Sequence, residues 1–154
     1  MADDVRPSLE NCNCRALRQA ARYVTQIYDR HLAPSGLRIS QFGTLAVLKG
    51  KGPMTINELA AELIIDRTTL GRNLLPLERD GLITIKPSAA DRRSKELHLS
   101  AAGEKRFREA RKFWLQAQEE FETEFGDKRA ATLRALLGAV VAREPGSARA
   151  AVSS

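Results

Sequence analysis

Thr55-Ile56-Asn57-Glu58-Leu59-Ala60-Ala61-Glu62-Leu63, then Ile64-Ile65, then Asp66-Arg67-Thr68-Thr69-Leu70-Gly71-Arg72-Asn73-Leu74 is the stretch that decides the architecture of this chain. Thr55 with Glu58 three residues later is a capping box, in which each residue satisfies an orphan amide of the other's turn. Leu59, Ala60 and Leu63 supply the inward stripe of a short helix. Asp66 is a second N-cap candidate, and Leu70, Leu74 and Leu77 line the inner side of the helix it opens. Gly81 is placed to stop that helix. Pro76 lies inside the pattern; it lacks an amide donor and predicts a kink or a re-formed last turn. Two short helices joined by a tight turn are a helix-turn-helix.

Downstream, Leu82-Ile83-Thr84-Ile85-Lys86 and Ser94-Lys95-Glu96-Leu97-His98-Leu99 alternate as strands do. The polar stretch from Pro87 to Arg93 joins them, so a charged hairpin, a wing, follows the helix pair. Upstream, Ser40 is a plausible cap for a helix carrying Phe42, Leu45, Ala46 and Leu48, which Gly50-Lys51-Gly52-Pro53 breaks. That Gly-Lys-Gly lacks the spacing and the following Ser/Thr of a phosphate loop.

Longer helices flank this unit. From Glu10, apolar positions Cys14, Leu17, Ala21, Val24, Tyr28 and Leu32 recur at spacings of three and four until Pro34-Ser35-Gly36. After Ser100, another N-cap, Phe107, Ala110, Trp114, Ala117, Phe121 and Phe125 repeat in the same way. Gly126 interrupts this seam, and Asp127 is a cap candidate for a last helix with Leu133, Leu136, Leu137, Val140 and Val141. Residues 1–9 and 144–154 carry no pattern and are expected to be flexible tails.

The 154 residues carry 25 Lys+Arg against 19 Asp+Glu, a net charge of +6, which invites a polyanionic partner. Eight aromatic residues (five Phe, two Tyr, one Trp) leave no stacking platform for single strands. No apolar run reaches the ~20 residues of a membrane span, so no membrane role is expected. The N-terminus, with Asp3, Asp4 and Glu10, does not read as a signal peptide. A reducing, cytoplasmic setting is expected, with the two cysteines as thiols unless they do redox work. No Ser/His/Asp order, zinc signature or dinucleotide loop points to an enzyme, and no cofactor is expected.

Duplex DNA suits the central unit. A helix about 10–12 Å across fits a major groove about 12 Å wide, and its N-terminal residues reach base edges first. Here those are Arg67, Thr68, Thr69, Arg72 and Asn73; Arg can take guanine bidentately, Asn adenine, and Thr a base or phosphate. The wing tip adds Arg92, Arg93, Ser94 and Lys95, three cations in four residues suited to the minor groove. Asp91 among them is expected to fix an arginine by a salt bridge. Ser40 and Thr55 complete the expected DNA-contacting set. Between Asp66 and Lys95 there are seven cations and four anions, so affinity must come from placement and from doubling by symmetry.

These residues resemble the MarR family of bacterial transcriptional regulators. The match runs through Leu59–Leu63, Asp66–Leu74, Leu77-Glu78-Arg79-Asp80-Gly81-Leu82-Ile83 and Asp91-Arg92-Arg93 to Leu97–Gly103. The resemblance implies a homodimer whose first and last helices interlock. It implies the helix from Asp66 in the major groove, Arg93 in the minor groove, and Asp91 holding that arginine. It also implies a pseudo-palindromic operator, usually repressed, with release by a small ligand or by oxidation. The family commonly has a polar residue where Pro76 stands. The fold class expected is thus mainly α with a small β-wing: a winged helix-turn-helix (37–100) between N-terminal (10–36) and C-terminal (101–143) dimerisation helices. A monomer folding one terminal seam on the other remains an alternative, as does a winged helix used as a protein-interaction module without DNA binding.

Two signals are open. Cys12-Asn13-Cys14 starts the first helix. Cys14 can be a small core residue on the seam and Cys12 an incidental thiol. Alternatively they sense oxidant, since a helix N-terminus favours the thiolate, the form that reacts with peroxide. The peroxide-sensing, OhrR-like branch of the family also has a cysteine here, and Tyr28 resembles one of its tyrosines. That branch expects another tyrosine where this chain has Arg18. Metal binding through Cys-x-Cys would need a partner chain, because His31 lies about 25 Å farther along the helix; no metal site is expected. The second signal is a small aromatic effector, with Tyr23, Tyr28, His31, Phe42 and Trp114 as candidate cleft residues or as plain core.

Overall fold

The computed structural model describes residues 8–142. Most of the two expected tails therefore lies outside the described residues. Ser8 and Leu9 are the exceptions: Ser8 caps a 3-10 turn, Leu9–Asn11, that Leu9 opens.

The helix-turn-helix forms as its capping residues dictate. Helix α3 (Ile56–Leu63) starts at Thr55, whose hydroxyl accepts from the Glu58 amide while the Glu58 carboxylate accepts from the Thr55 amide. Helix α4 (Arg67–Arg79) starts at Asp66, whose carboxylate accepts from the Thr69 amide and hydroxyl. Those hydrogen bonds hold the carboxyls of Glu58 and Asp66 below the usual range. Between the helices, Ile64 lies in the left-handed region at φ 51°, with the Ile65 amide closing on Ala60. A β-branched residue is strained there, and glycine would not be. Helix α4 runs through Pro76 to Arg79, so the proline does not end it early. Gly81, at φ 71°, ends it as expected: the Leu82 amide reaches back to the Leu77 carbonyl and the Gly81 amide to Glu78.

Helix α1 (Asn13–Leu32) and helix α2 (Ile39–Lys51) precede this pair. The N-cap of α2 is Arg38, not Ser40, which sits in the first turn; Gln41 Oε1 accepts from the Arg38 amide and Asp29 from the Ile39 amide. These two side chains supply what the serine was expected to supply.

Strands β2 (Ile83–Pro87) and β3 (Lys95–Leu99) form the hairpin, with Ile85 opposite Leu97 and Pro87 opposite Lys95. A two-residue strand β1 (Met54–Thr55) pairs with β3 through Met54 and Leu97, giving the antiparallel order β1-β3-β2. It was not expected from the sequence, because two residues are too few to show alternation.

Helix α5 (Ala101–Phe125) starts at Ser100, whose hydroxyl accepts from the Gly103 amide. Helix α6 (Asp127–Val141) follows Gly126, which is itself the N-cap; Asp127, expected there, is the first helical residue instead. Gly103 is packed so closely on the wing base that a Cβ there would overlap the Leu82 carbonyl and lie 2.8 Å from Leu99 Cδ1.

The main core lies in the winged unit. Leu45, Leu59, Leu70, Leu77, Ile83 and Leu97 are fully buried together, with Leu32 from α1 and Ala110 from α5 added to them. A small second cluster, Ile27, Tyr28 and Ala117, joins α1 to α5. The seam of α1 is split: Tyr28 and Leu32 are buried, Val24 is half-buried, and Cys14, Leu17 and Ala21 are exposed. Leu136, Leu137, Val140 and Val141 of α6 are exposed as well. No described helix is long and apolar enough to cross a membrane.

Candidate nucleic-acid interface

The capping of α4 places its first turn at the surface. Arg67, Thr68, Thr69 and Arg72 are exposed, while Asn73 is half-buried. The Thr69 hydroxyl donates to Asp66 Oδ2 at 2.5 Å, so this threonine braces the helix start. Thr55 is likewise committed to its capping box and is half-buried. Ser40 is exposed at the start of α2.

The wing tip is built from local hydrogen bonds. Asp91 Oδ1 accepts from the Arg93 amide at 2.9 Å, and the Ser94 amide donates to the Asp91 carbonyl. Asp91 thus supports Arg93 through its backbone; among the described residues it makes no ion pair with a guanidinium, contrary to the expected salt bridge. A two-residue reach suits an Asx turn, and that turn takes the carboxylate first. Ser88, in the polar stretch that joins the strands, is buried. Its hydroxyl donates to Glu96 Oε1 at 2.8 Å and its amide to the Ser94 carbonyl. The half-buried His98 pairs with Glu96 at 3.3 Å.

Some cations near this surface are neutralised by carboxylates and others are not. Lys49 pairs with Glu104, Lys51 with Glu62 at 2.7 Å and Arg79 with Asp80 at 3.2 Å. Arg67, Arg72, Arg92, Arg93 and Lys95 are exposed and, among the described residues, have no carboxylate partner. An open groove of about 650 Å³ beneath the tip is lined by Lys86, Pro87, Ser88, Ala89 and Arg92. Unneutralised cations on a helix start and a hairpin tip are what a phosphate backbone attracts.

The other candidates lie elsewhere. Cys12 is the N-cap of α1, its Sγ accepting from the Arg15 amide at 3.4 Å. Cys14 is exposed, not a core residue of this chain. The aromatic candidates are only partly gathered. Phe42 stacks on Phe107 and Trp114 with ring centroids 5.0 and 6.0 Å away, so these rings fill one another's space. Tyr28 bonds Gln118, and burial raises its hydroxyl above the usual range. His31 meets Glu120 at 2.6 Å, and Arg30 shares that carboxylate. These two partners hold the Glu120 carboxyl below the usual range, His31 foremost. Tyr23 is 60% exposed and takes no part in the stack. Among the described residues no group of three potential metal ligands converges.

Residues 35–94 match the MarR family. The transcriptional regulator MosR of M. tuberculosis, solved in complex with DNA, is 42% identical in an alignment covering 84% of this chain and 95% of that one, at a TM-score of 0.73. The uncharacterized HTH-type transcriptional regulator YwoH of Bacillus subtilis (strain 168) is 30% identical over 112 residues, 73% of this chain and 81% of its own. The organic hydroperoxide resistance transcriptional regulator of the same organism is 32% identical over 95 residues, 62% of this chain and 65% of its own. Helix-turn-helix and wing together define a winged-helix protein. Within that class the chain belongs to the MarR family of transcriptional regulators, a family of regulators and not of enzymes.

Proposed function

We propose that the protein binds double-stranded DNA sequence-specifically as a homodimer, represses transcription from a pseudo-palindromic operator, and is released by oxidation at Cys12 and Cys14. The observation that carries DNA binding is the set of exposed, unpaired cations on the start of α4 and the wing tip of one rigid unit. Arg67, Thr68 and Arg72 face base edges, and Arg92, Arg93 and Lys95 hold the minor groove and its phosphates. The exposed α1 and α6 seams support pairing, which sets two half-sites about one helical turn apart.

Mobility shifts on duplexes selected from a randomised pool test this. Affinity should fall linearly with salt on logarithmic axes. Arg93→Ala should lower affinity about tenfold and flatten the salt slope by about one. No salt-dependent binding would leave the protein-interaction alternative standing. Unchanged binding in Arg93→Ala removes the wing from the interface.

For release, the exposed Cys14 follows the N-cap Cys12 by two residues at the open end of the α1 seam. A hydroperoxide oxidises one thiol to a sulfenic acid and leaves as the alcohol. A second thiol, in the same chain or its partner, then displaces water and closes a disulfide. Organic hydroperoxide should lower operator affinity of the wild type and leave Cys12→Ser and Cys14→Ser unaffected. Indifference of the wild type overturns oxidation as the signal and favours a small aromatic effector.

A further inference from the structure

One large apolar side chain shares the α4 surface with the cations. Thr68, Arg72, Leu75 and Arg79 follow one another at spacings of four, three and four, so a single stripe of the helix carries all of them, and all are exposed. Leu75 is 63% exposed, and the inner stripe of Leu70, Leu74 and Leu77 occupies the other side of the helix. The half-buried Pro76 adjoins Leu75 and extends its apolar surface.

A lone leucine on a protein surface is ordinary. On a surface that enters a major groove it has a consequence. Docking strips water from it, and the groove edge consists of hydrogen-bonding atoms with one apolar exception, the C5-methyl of thymine. A leucine set against N7, O6 or N4 would leave those groups dehydrated and unpaired. Set against the methyl, it buries apolar surface on both sides.

We propose that Leu75 is a specificity-determining residue that packs on a thymine C5-methyl, one helical turn past the base pair met by Arg72. The inference rests on the duplex reading and deepens it, by naming a base that each half-site must carry. A 5-methylcytosine bears the same methyl at the same place and satisfies Leu75 in the same way.

Duplexes selected by the wild type are remade with deoxyuridine for thymine, one symmetric pair of positions at a time. Deoxyuridine keeps all hydrogen-bonding groups and lacks only the methyl. At one position in each half-site, deoxyuridine should weaken wild-type binding about fourfold per half-site, the value of one buried methyl-sized group. Leu75→Ala should bind the thymine and deoxyuridine duplexes alike at that position and respond as the wild type does at others. Leu75→Gln, of similar length and good helix propensity, serves if alanine disturbs the fold. If Leu75→Ala or Leu75→Gln keeps every methyl response of the wild type, or the wild type has none, Leu75 reads no methyl while duplex binding stands. A wild type that binds no duplex at low salt overturns the duplex reading, and this inference with it.

Discussion

The winged unit and the terminal helices are built from the same kind of amphipathic pattern, yet they end differently. In the winged unit the apolar stripes of α2, α3, α4 and the wing meet in one core, with Leu45, Leu59, Leu70 and Leu97 sealed from water. In the terminal helices the stripes find only half their partners. Ile27, Tyr28 and Ala117 are covered, but Leu17 of α1 and Leu136, Leu137, Val140 and Val141 of α6 are not. Periodicity therefore tells that a face is to be buried; it does not tell by which chain. A stripe completed within the chain closes its own core, and in the paired reading proposed above one left open is where a second copy packs.

Substitutions can break this contrast. The largest effect on stability should come from the closed side: Leu45→Ala empties fully buried volume and should cost about 2–5 kcal/mol in urea unfolding. A cost under about 1 kcal/mol would mean that the winged core is looser than its burial implies. On the open side, Leu136→Asp combined with Val140→Asp should leave the monomer's fold intact by circular dichroism. In the paired reading it halves the sedimenting mass and lowers operator affinity about a hundredfold, the loss of a linked second site. Unchanged mass would return these residues to ordinary surface.

Ile64→Gly sharpens the contrast at the helix-turn-helix turn. The residue is exposed and holds φ 51°, so glycine relieves strain while giving up little packing. A gain of about 0.5–1 kcal/mol in urea unfolding is expected, offset in part by the freer unfolded chain. Stability lower than wild type would show that Ile64 is packed.

The smallest effect is at the α1–α5 junction. The folded Glu120 carboxyl is held below its ordinary value of 4.5 by His31 and Arg30. Its contribution is present above about pH 4.5 and is lost as the pH falls through the lower folded value. Glu120→Gln should lack this acid-side loss in thermal melts across that window. A variant that retains it places the loss at another carboxyl.

Much of this was legible in the residues. The caps at Thr55, Asp66 and Ser100, the stop at Gly81 and the strand alternation are local signals, and each is where the sequence predicts. What stayed hidden depended on distant neighbours. Arg38, Gln41 and Asp29 replace Ser40 as the start of α2 because Asp29 arrives from another helix. Strand β1 exists through its pairing with β3. Ser88 is buried and tied to the other strand, its amide to Ser94 and its hydroxyl to Glu96. At the interface, the cations of α4 and the wing were visible from residue type, and Leu75 was not. Its helical spacing from Thr68 and Arg72 was available, but an apolar residue reads as core until its exposure is known. Pro76 lies inside α4, which continues through it to Arg79.

The account turns on two winged units gripping one duplex, and the mass of the complex tests that most directly. Sedimentation of the protein alone and with a duplex bearing one selected operator should give twice the 17.0 kDa chain when free and two chains per duplex when bound. A free chain at 17.0 kDa, binding one per duplex at the same affinity as the Leu136→Asp/Val140→Asp variant, would contradict it.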